Sequence, residues 1–75
     1  MPPKIRELKA DLRRAGFIRF TTGGKGSHET WIHSAYPDLI VVVAGHDGDD
    51  SQHYLIRDVR YAVALASERS KEERS

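Results

Sequence analysis

The chain has 75 residues, of which 31% are charged, and it carries a formal net charge of +1 and a mean hydropathy of −0.57. This length suits one small domain, and no apolar run reaches the roughly 20 residues that span a bilayer. The absence of cysteine excludes disulfides, thiolate catalysis and cysteine zinc sites, and it favours a cytoplasmic protein.

Positive and negative charges are unevenly distributed along the sequence. Residues 1–33 carry seven Lys or Arg against three acids, whereas residues 34–58 carry one Arg against five Asp. A basic surface raises the local concentration of an anionic partner such as nucleic acid. We expect such a partner near the first half of the chain or, as the simpler alternative, an ordinary solvated helix face.

A first helix is predicted over residues 4–15. Its apolar residues Ile5, Leu8 and Leu12 recur at helical spacing, and basic residues occupy most of the remaining positions, which predicts a basic outer face. Gly16 follows the last turn, where a residue free to adopt a left-handed conformation is favoured. We therefore expect the helix to end there.

Three strand-like segments follow the first helix. Residues 17–22 and 28–33 are rich in aromatic and β-branched residues, and residues 39–44 form the most continuous apolar run of the chain. Alternation along the first of these segments places Arg19 on the face opposite its apolar neighbours. Pro37 cannot donate to a strand ladder, so it marks a turn before the third strand.

A second helix is predicted after a polar loop, and its apolar stripe ends at Ala66. Residues 67–75 contain no apolar residue, so we expect a charged, frayed tail and an ordered core over about residues 4–66. The order of elements predicts an α+β fold, a two-layer α-β-β-β-α sandwich with one open sheet face, in a single domain over residues 1–75.

The segment Gly-Gly-Lys-Gly-Ser-His at residues 23–28 predicts an active loop. Glycine amides can approach an anion closely, and a lysine adds positive charge beside them. Histidine is the side chain whose unperturbed pKa lies nearest neutrality, so His28 could exchange a proton beside a bound phosphate. The alternative is a glycine-rich hairpin turn followed by a surface histidine. The candidate residues for phosphate or RNA binding are Arg19, Lys25, Gly26 and Ser27.

No metal site or cofactor is predicted. His28 and His33 lie five residues apart on one strand, so their side chains point to opposite faces and cannot share a metal. Residues 47–58 resemble a calcium loop, but they lack its central glycine and its final glutamate. We expect His33 and His53 to be surface histidines.

Several of these features together resemble one protein family. They are the order of elements, the Gly16-Phe17 pair that opens the first strand, the Gly-Ser-His tripeptide that opens the second strand, and a histidine in the loop before the second helix. They resemble the HicA toxins of bacterial toxin–antitoxin pairs over about residues 4–66. The resemblance implies a fold like the double-stranded RNA-binding domain, ribonuclease activity on mRNA, and neutralisation by a HicB-type antitoxin.

On this resemblance, His28 falls on the catalytic histidine of the family, and His46 is a candidate second acid or base. RNA carries its own nucleophile, the ribose 2′-hydroxyl, so we expect metal-independent cleavage that leaves a cyclic phosphate. The implied partners are mRNA and an antitoxin, with which the chain would form a hetero-oligomer in the cytoplasm. Two alternatives remain: a non-catalytic RNA-binding module, and a small protein-interaction domain of the same fold.

Overall fold

The computed structural model describes residues 1–20 and 28–74 of the chain. Its elements are α1 (Ile5–Arg14), β1 (Phe17–Phe20), β2 (Glu29–His33), β3 (Ile40–Val43) and α2 (His53–Arg74). The predicted α+β class and the helix-strand-strand-strand-helix order are confirmed. Within the described ranges, neither helix is long and apolar enough to cross a membrane.

Helix α1 forms because its apolar residues lie on one stripe, where Ile5, Leu8 and Leu12 are all buried. At its start, the Glu7 carboxylate accepts a hydrogen bond from the backbone N–H of Lys4. This contact satisfies one of the donors that a helix N-terminus leaves without an intrahelical partner. The helix is thus fixed at its first turn and along its buried stripe.

Gly16 is required at the turn between α1 and β1 for two reasons. Its φ of +100° lies in the left-handed region, which side chains other than glycine rarely adopt. A Cβ atom at this position would also lie 2.8 Å from Nε2 of His33. Any other residue would therefore be strained and would collide with the imidazole ring.

The three strands form one antiparallel sheet in the order β1-β2-β3. Its inner face contributes Phe17, Trp31 and Val43 to a single core shared with both helices, and Trp31 is only 1% exposed. The outer face carries two cross-strand rows, Ile18–Ile32–Ile40 and Phe20–Thr30–Val42. Most of these side chains are exposed, so the outer sheet face is an open and largely apolar surface.

Helix α2 continues to Arg74, beyond the residues that the sequence predicted to be ordered. Arg69 donates two hydrogen bonds of 2.8 Å to the two carboxylate oxygens of Asp38. The Tyr36 hydroxyl donates to Glu73 at 2.9 Å. Polar contacts with the turn before β3 therefore hold a segment in which the sequence offers no apolar residue.

His33 is buried, so the expectation of a surface histidine was wrong. The residue is 8% exposed, and its ring packs edge-on against Phe17 and stacks on Tyr36 with centroids 5.0 and 4.7 Å away. Nδ1 accepts the backbone N–H of Ala35 at 3.0 Å, which leaves Nε2 to donate to the carbonyl oxygen of Ala15 at 2.8 Å. His33 therefore joins the end of α1 to the sheet.

Candidate active site

His28 immediately precedes β2 and has an exposed side chain. It lines an open groove of about 640 Å³ between β3 and α2, which we call the β3–α2 groove. The groove wall on the sheet side includes Val42 and Ala44, and its other wall is the side of α2 that carries Tyr54 and Tyr61. An exposed imidazole on a concave surface can meet a substrate from solution.

Three of the predicted phosphate contacts, Lys25, Gly26 and Ser27, lie outside the described residues. The active loop itself therefore stays a prediction from the sequence. The described residues on either side of it are Phe20, which ends β1, and His28, which directly precedes β2. The segment connects two strands that are paired in register as a hairpin.

Arg19 lies opposite Trp31 in the β1–β2 pairing, so it belongs to the helix-facing side of the sheet. Its guanidinium donates to Glu29 at 3.3 Å, and about half of the Arg19 side chain stays exposed at the sheet edge. Arg19 is not among the described residues that line the β3–α2 groove with His28. Its predicted role in phosphate binding remains a prediction.

His46 lies in the loop between β3 and α2 and is exposed. Its backbone N–H donates to the Asp49 carboxylate at 3.1 Å. The same loop contacts the start of α1, because the backbone N–H of Ile5 donates to the Asp49 carbonyl at 2.9 Å. Among the described residues, the lining of the β3–α2 groove includes His28 but not His46, whose role as a second acid or base also stays a prediction.

Lys9 differs most from its expected place on a basic outer helix face, because it is only 7% exposed. Its ammonium donates to Asp47 at 2.5 Å and lies 3.0 Å from a Glu29 oxygen. Burial acts to lower the pKa of Lys9, but the contacts with the two carboxylates outweigh it and raise that pKa above the ordinary lysine value. The hydrogen bond from Lys9 in turn lowers the pKa of Asp47.

Ion pairs within the fold thus neutralise part of the uneven charge seen in the sequence. Lys9 pairs with Asp47, and Lys4 pairs with Asp50, so two cations of the basic first segment contact acids of the middle segment. Arg13 instead lies over the Trp31 ring, with its guanidinium carbon 5.2 Å from the ring centroid. The charge asymmetry is therefore weaker evidence for an anionic partner than it is in the sequence alone.

Two groove residues escaped the sequence analysis as functional candidates. The sequence analysis used Tyr54 only as a marker of the second helix and did not single out Tyr61, yet both are exposed and line the β3–α2 groove with His28. Their spacing of seven residues, two helical turns, could have placed them on one side of α2. Nothing in the sequence indicates that this side meets the edge of β3.

Among the described residues, no three His, Cys, Asp or Glu side chains are grouped closely enough to hold a metal ion. A second and larger groove, of about 940 Å³, lies between the C-terminal halves of the two helices. Its lining includes His33 and Tyr36 but not His28. The β3–α2 groove is therefore the concave surface that contains the candidate catalytic residue.

A family model described as the HicA toxin of bacterial toxin–antitoxin systems matches residues 5–64. The chain belongs to the HicA toxin family. The match begins at the first residue of α1 and ends within α2, so it includes all three strands of this HicA chain. No curated protein matches the chain. Family membership makes the chain a member of a toxin–antitoxin system, and it agrees with the α-β-β-β-α fold.

Proposed function

We propose that this HicA chain is an endoribonuclease toxin that cuts mRNA in the cytoplasm, with His28 as its catalytic residue. The observation that carries the proposal is the exposed His28 imidazole on a concave surface of a HicA-family fold. The sequence adds a glycine-rich, lysine-containing segment directly before this histidine. Such a segment suits binding of the phosphate beside which His28 would act.

The proposed reaction needs no metal ion. The ribose 2′-hydroxyl attacks the neighbouring phosphorus, the bond from phosphorus to the 5′-oxygen breaks, and a cyclic phosphate forms. His28 takes the proton of the 2′-hydroxyl or supplies the proton that the 5′-oxygen needs, and His46 is the candidate for the other transfer. Lys25, with the amides of Gly26 and Ser27, would stabilise the negative charge that develops at phosphorus.

We propose that the antitoxin inhibits the toxin by steric occlusion of its active site. A HicB-type antitoxin would form a complex with the toxin and cover His28 and the basic surface of the toxin. A complex in which the His28 side chain stays as open to solvent as it is in the free chain would contradict this part of the proposal.

The outer sheet face supports a second candidate function, a protein-interaction domain without catalysis. Ile18, Phe20, Ile40 and Val42 expose more than half of their surface there. Contiguous exposed apolar residues usually mark a surface that binds another protein. This function and the nuclease are distinguished by whether the isolated chain degrades RNA.

Induced expression without a partner tests the proposal in cells. We expect the wild-type chain to stop growth and to shorten cellular mRNA, and His28→Ala to do neither while it accumulates as a folded protein. His53→Ala is the matched control, because His53 is exposed at the start of α2 and outside the groove lining. Equal toxicity of wild type and His28→Ala would remove His28 from the catalytic role.

A further inference from the structure

Two tyrosines on the rim of the β3–α2 groove are exposed and do not belong to the hydrophobic core. Tyr54 is 48% exposed and Tyr61 is 67% exposed, and both line the groove that contains His28. They lie two turns apart on the same side of α2, which separates them by about 10.5 Å along the helix axis. Their rings therefore form two separate aromatic surfaces along one wall of an open groove.

This separation suits a single-stranded nucleic acid. Bases along a stacked strand rise by about 3.4 Å each, so two helix positions about 10.5 Å apart along the axis match bases roughly three nucleotides apart. Proteins that bind single strands commonly stack bases on aromatic side chains, because every base offers a flat π-face. A strand lying along α2 could contact both tyrosines while its backbone passes His28.

The acidic residues of the groove determine which part of the strand can enter it. Asp58 lines the groove one turn from each tyrosine, and Asp38 lines it near the turn before β3. The Asp38 carboxylate is occupied by two hydrogen bonds from Arg69. Negative charge repels phosphates, whereas a carboxylate accepts hydrogen bonds from the exocyclic amino group of a base such as cytosine.

We propose that the β3–α2 groove binds unpaired bases of an RNA strand, with Tyr54 and Tyr61 stacking on two of them. Asp58 accepts a hydrogen bond from an exocyclic amino group, which favours cytosine over uracil at that position. The phosphates lie along the open side of the groove, where the exposed His28 can reach them. This inference rests on the proposed function, because it assigns a substrate-binding surface to the same nuclease.

The test measures binding separately from cleavage. Fluorescence anisotropy follows a labelled single-stranded oligonucleotide whose 2′-hydroxyls are replaced by hydrogen, so it cannot be cut by the proposed reaction. We expect Tyr54→Ala with Tyr61→Ala to weaken binding at least 10-fold, since losing one stacked base costs about 5-fold to 150-fold. Replacing both tyrosines by Phe keeps the rings, so it should change binding less than about 2-fold.

Matched controls separate the groove from a general aromatic effect. Phe20 is 53% exposed on β1 but is not among the described residues that line the groove, so Phe20→Ala should leave binding unchanged. Asp58→Ala should abolish a preference for oligocytidine over oligouridine. If the double alanine variant does not fold, Tyr61→Ala alone is used, because its side chain is the more exposed of the two.

The outcomes also separate this inference from the proposed function. If the wild-type chain cuts RNA and the alanine variants bind the oligonucleotide as tightly as wild type, the groove assignment is overturned and the nuclease stands. Tyrosine-dependent binding by a chain that cuts no RNA would sustain the groove assignment and overturn the nuclease. Normal oligonucleotide binding with loss of antitoxin binding would make the groove a protein contact instead, and so overturn the inference.

Discussion

At the scale of single residues, His33 joins the two layers of the fold. Its imidazole hydrogen-bonds to the carbonyl oxygen of Ala15, directly after α1, and its ring lies between Phe17 and Tyr36. We expect His33→Ala to lower the free energy of unfolding by roughly 2–3 kcal/mol, because a buried ring and both of its hydrogen bonds are lost. Urea unfolding measures the change.

The matched control for this prediction is His53→Ala, which truncates an exposed histidine. It should change the free energy of unfolding by less than about 0.5 kcal/mol. Equal effects of the two substitutions would show that His33 does not hold α1 against the sheet.

Lys9 is the other residue whose environment determines its role. Lys9→Met keeps the apolar stem but removes the ammonium. Among the described residues, this leaves the partly exposed Arg19 as the one ion-pair partner of the largely buried Glu29 carboxylate. We expect a loss of about 1–3 kcal/mol in the free energy of unfolding. Adding Glu29→Gln to Lys9→Met should restore part of it, and a double variant less stable than the single one would contradict this explanation.

At the scale of elements, pairs of opposite charge connect each helix to a loop, and they make stability depend on pH. Hydrogen bonds from Lys9 and Arg69 lower the pKa of Asp47 and Asp38 respectively. A carboxyl with a lowered native pKa stabilises the fold fully above the ordinary value of about 4, and it loses that contribution as pH falls through the native pKa. The pKa of Lys9 is raised, so its contribution to stability changes with pH in the opposite direction. Its contribution is full below about pH 10 and is lost above it.

We therefore expect the melting temperature to fall as the pH is lowered below about 4. Calorimetry between about pH 2 and 6 measures this decline. It should be shallower in Asp47→Asn and Asp38→Asn, because neither asparagine can be protonated in this range. Melting curves of these variants that fall in parallel with the wild-type curve would remove both carboxylates from the explanation.

The C-terminal part of α2 depends on polar contacts with the turn before β3. Arg69→Gln removes the two hydrogen bonds to Asp38, so we expect the amides of residues 67–74 to exchange with solvent faster. Hydrogen exchange followed by mass spectrometry measures this. Arg57→Gln, at an exposed position in the first half of α2, should leave that exchange unchanged. Unchanged exchange in Arg69→Gln would show that the helix end does not need the contact.

At the scale of the whole molecule, the sequence predicts what depends on local periodicity. The stripe of Ile5, Leu8 and Leu12 and the three apolar segments determine the helices, the strands and their order. Burial of Lys9 and His33 could not be predicted, because it depends on residues that are distant in the sequence. Lys9 meets Asp47, and the His33 ring bonds to the end of α1. The extension of α2 was missed for the same reason.

In the candidate site too, one part could be predicted from the sequence and another depends on tertiary packing. His28 is identifiable from a short motif and from the resemblance that the motif supports. The groove beside it exists only because α2 packs along the edge of β3, so Tyr54 and Tyr61 gained their place from tertiary structure. A motif can indicate a candidate catalytic residue, whereas a candidate binding surface such as this groove is formed by packing.

The proposed activity is metal-independent cleavage of RNA with His28 as the catalytic residue. The most direct measurement incubates purified wild-type chain and His28→Ala with end-labelled RNA in EDTA and determines the rate and the product ends. We predict cleavage by the wild type with cyclic phosphate ends, and a rate lower by on the order of 10²–10⁴ for His28→Ala. Cleavage that stops in EDTA, or that continues unchanged in His28→Ala, would contradict the account.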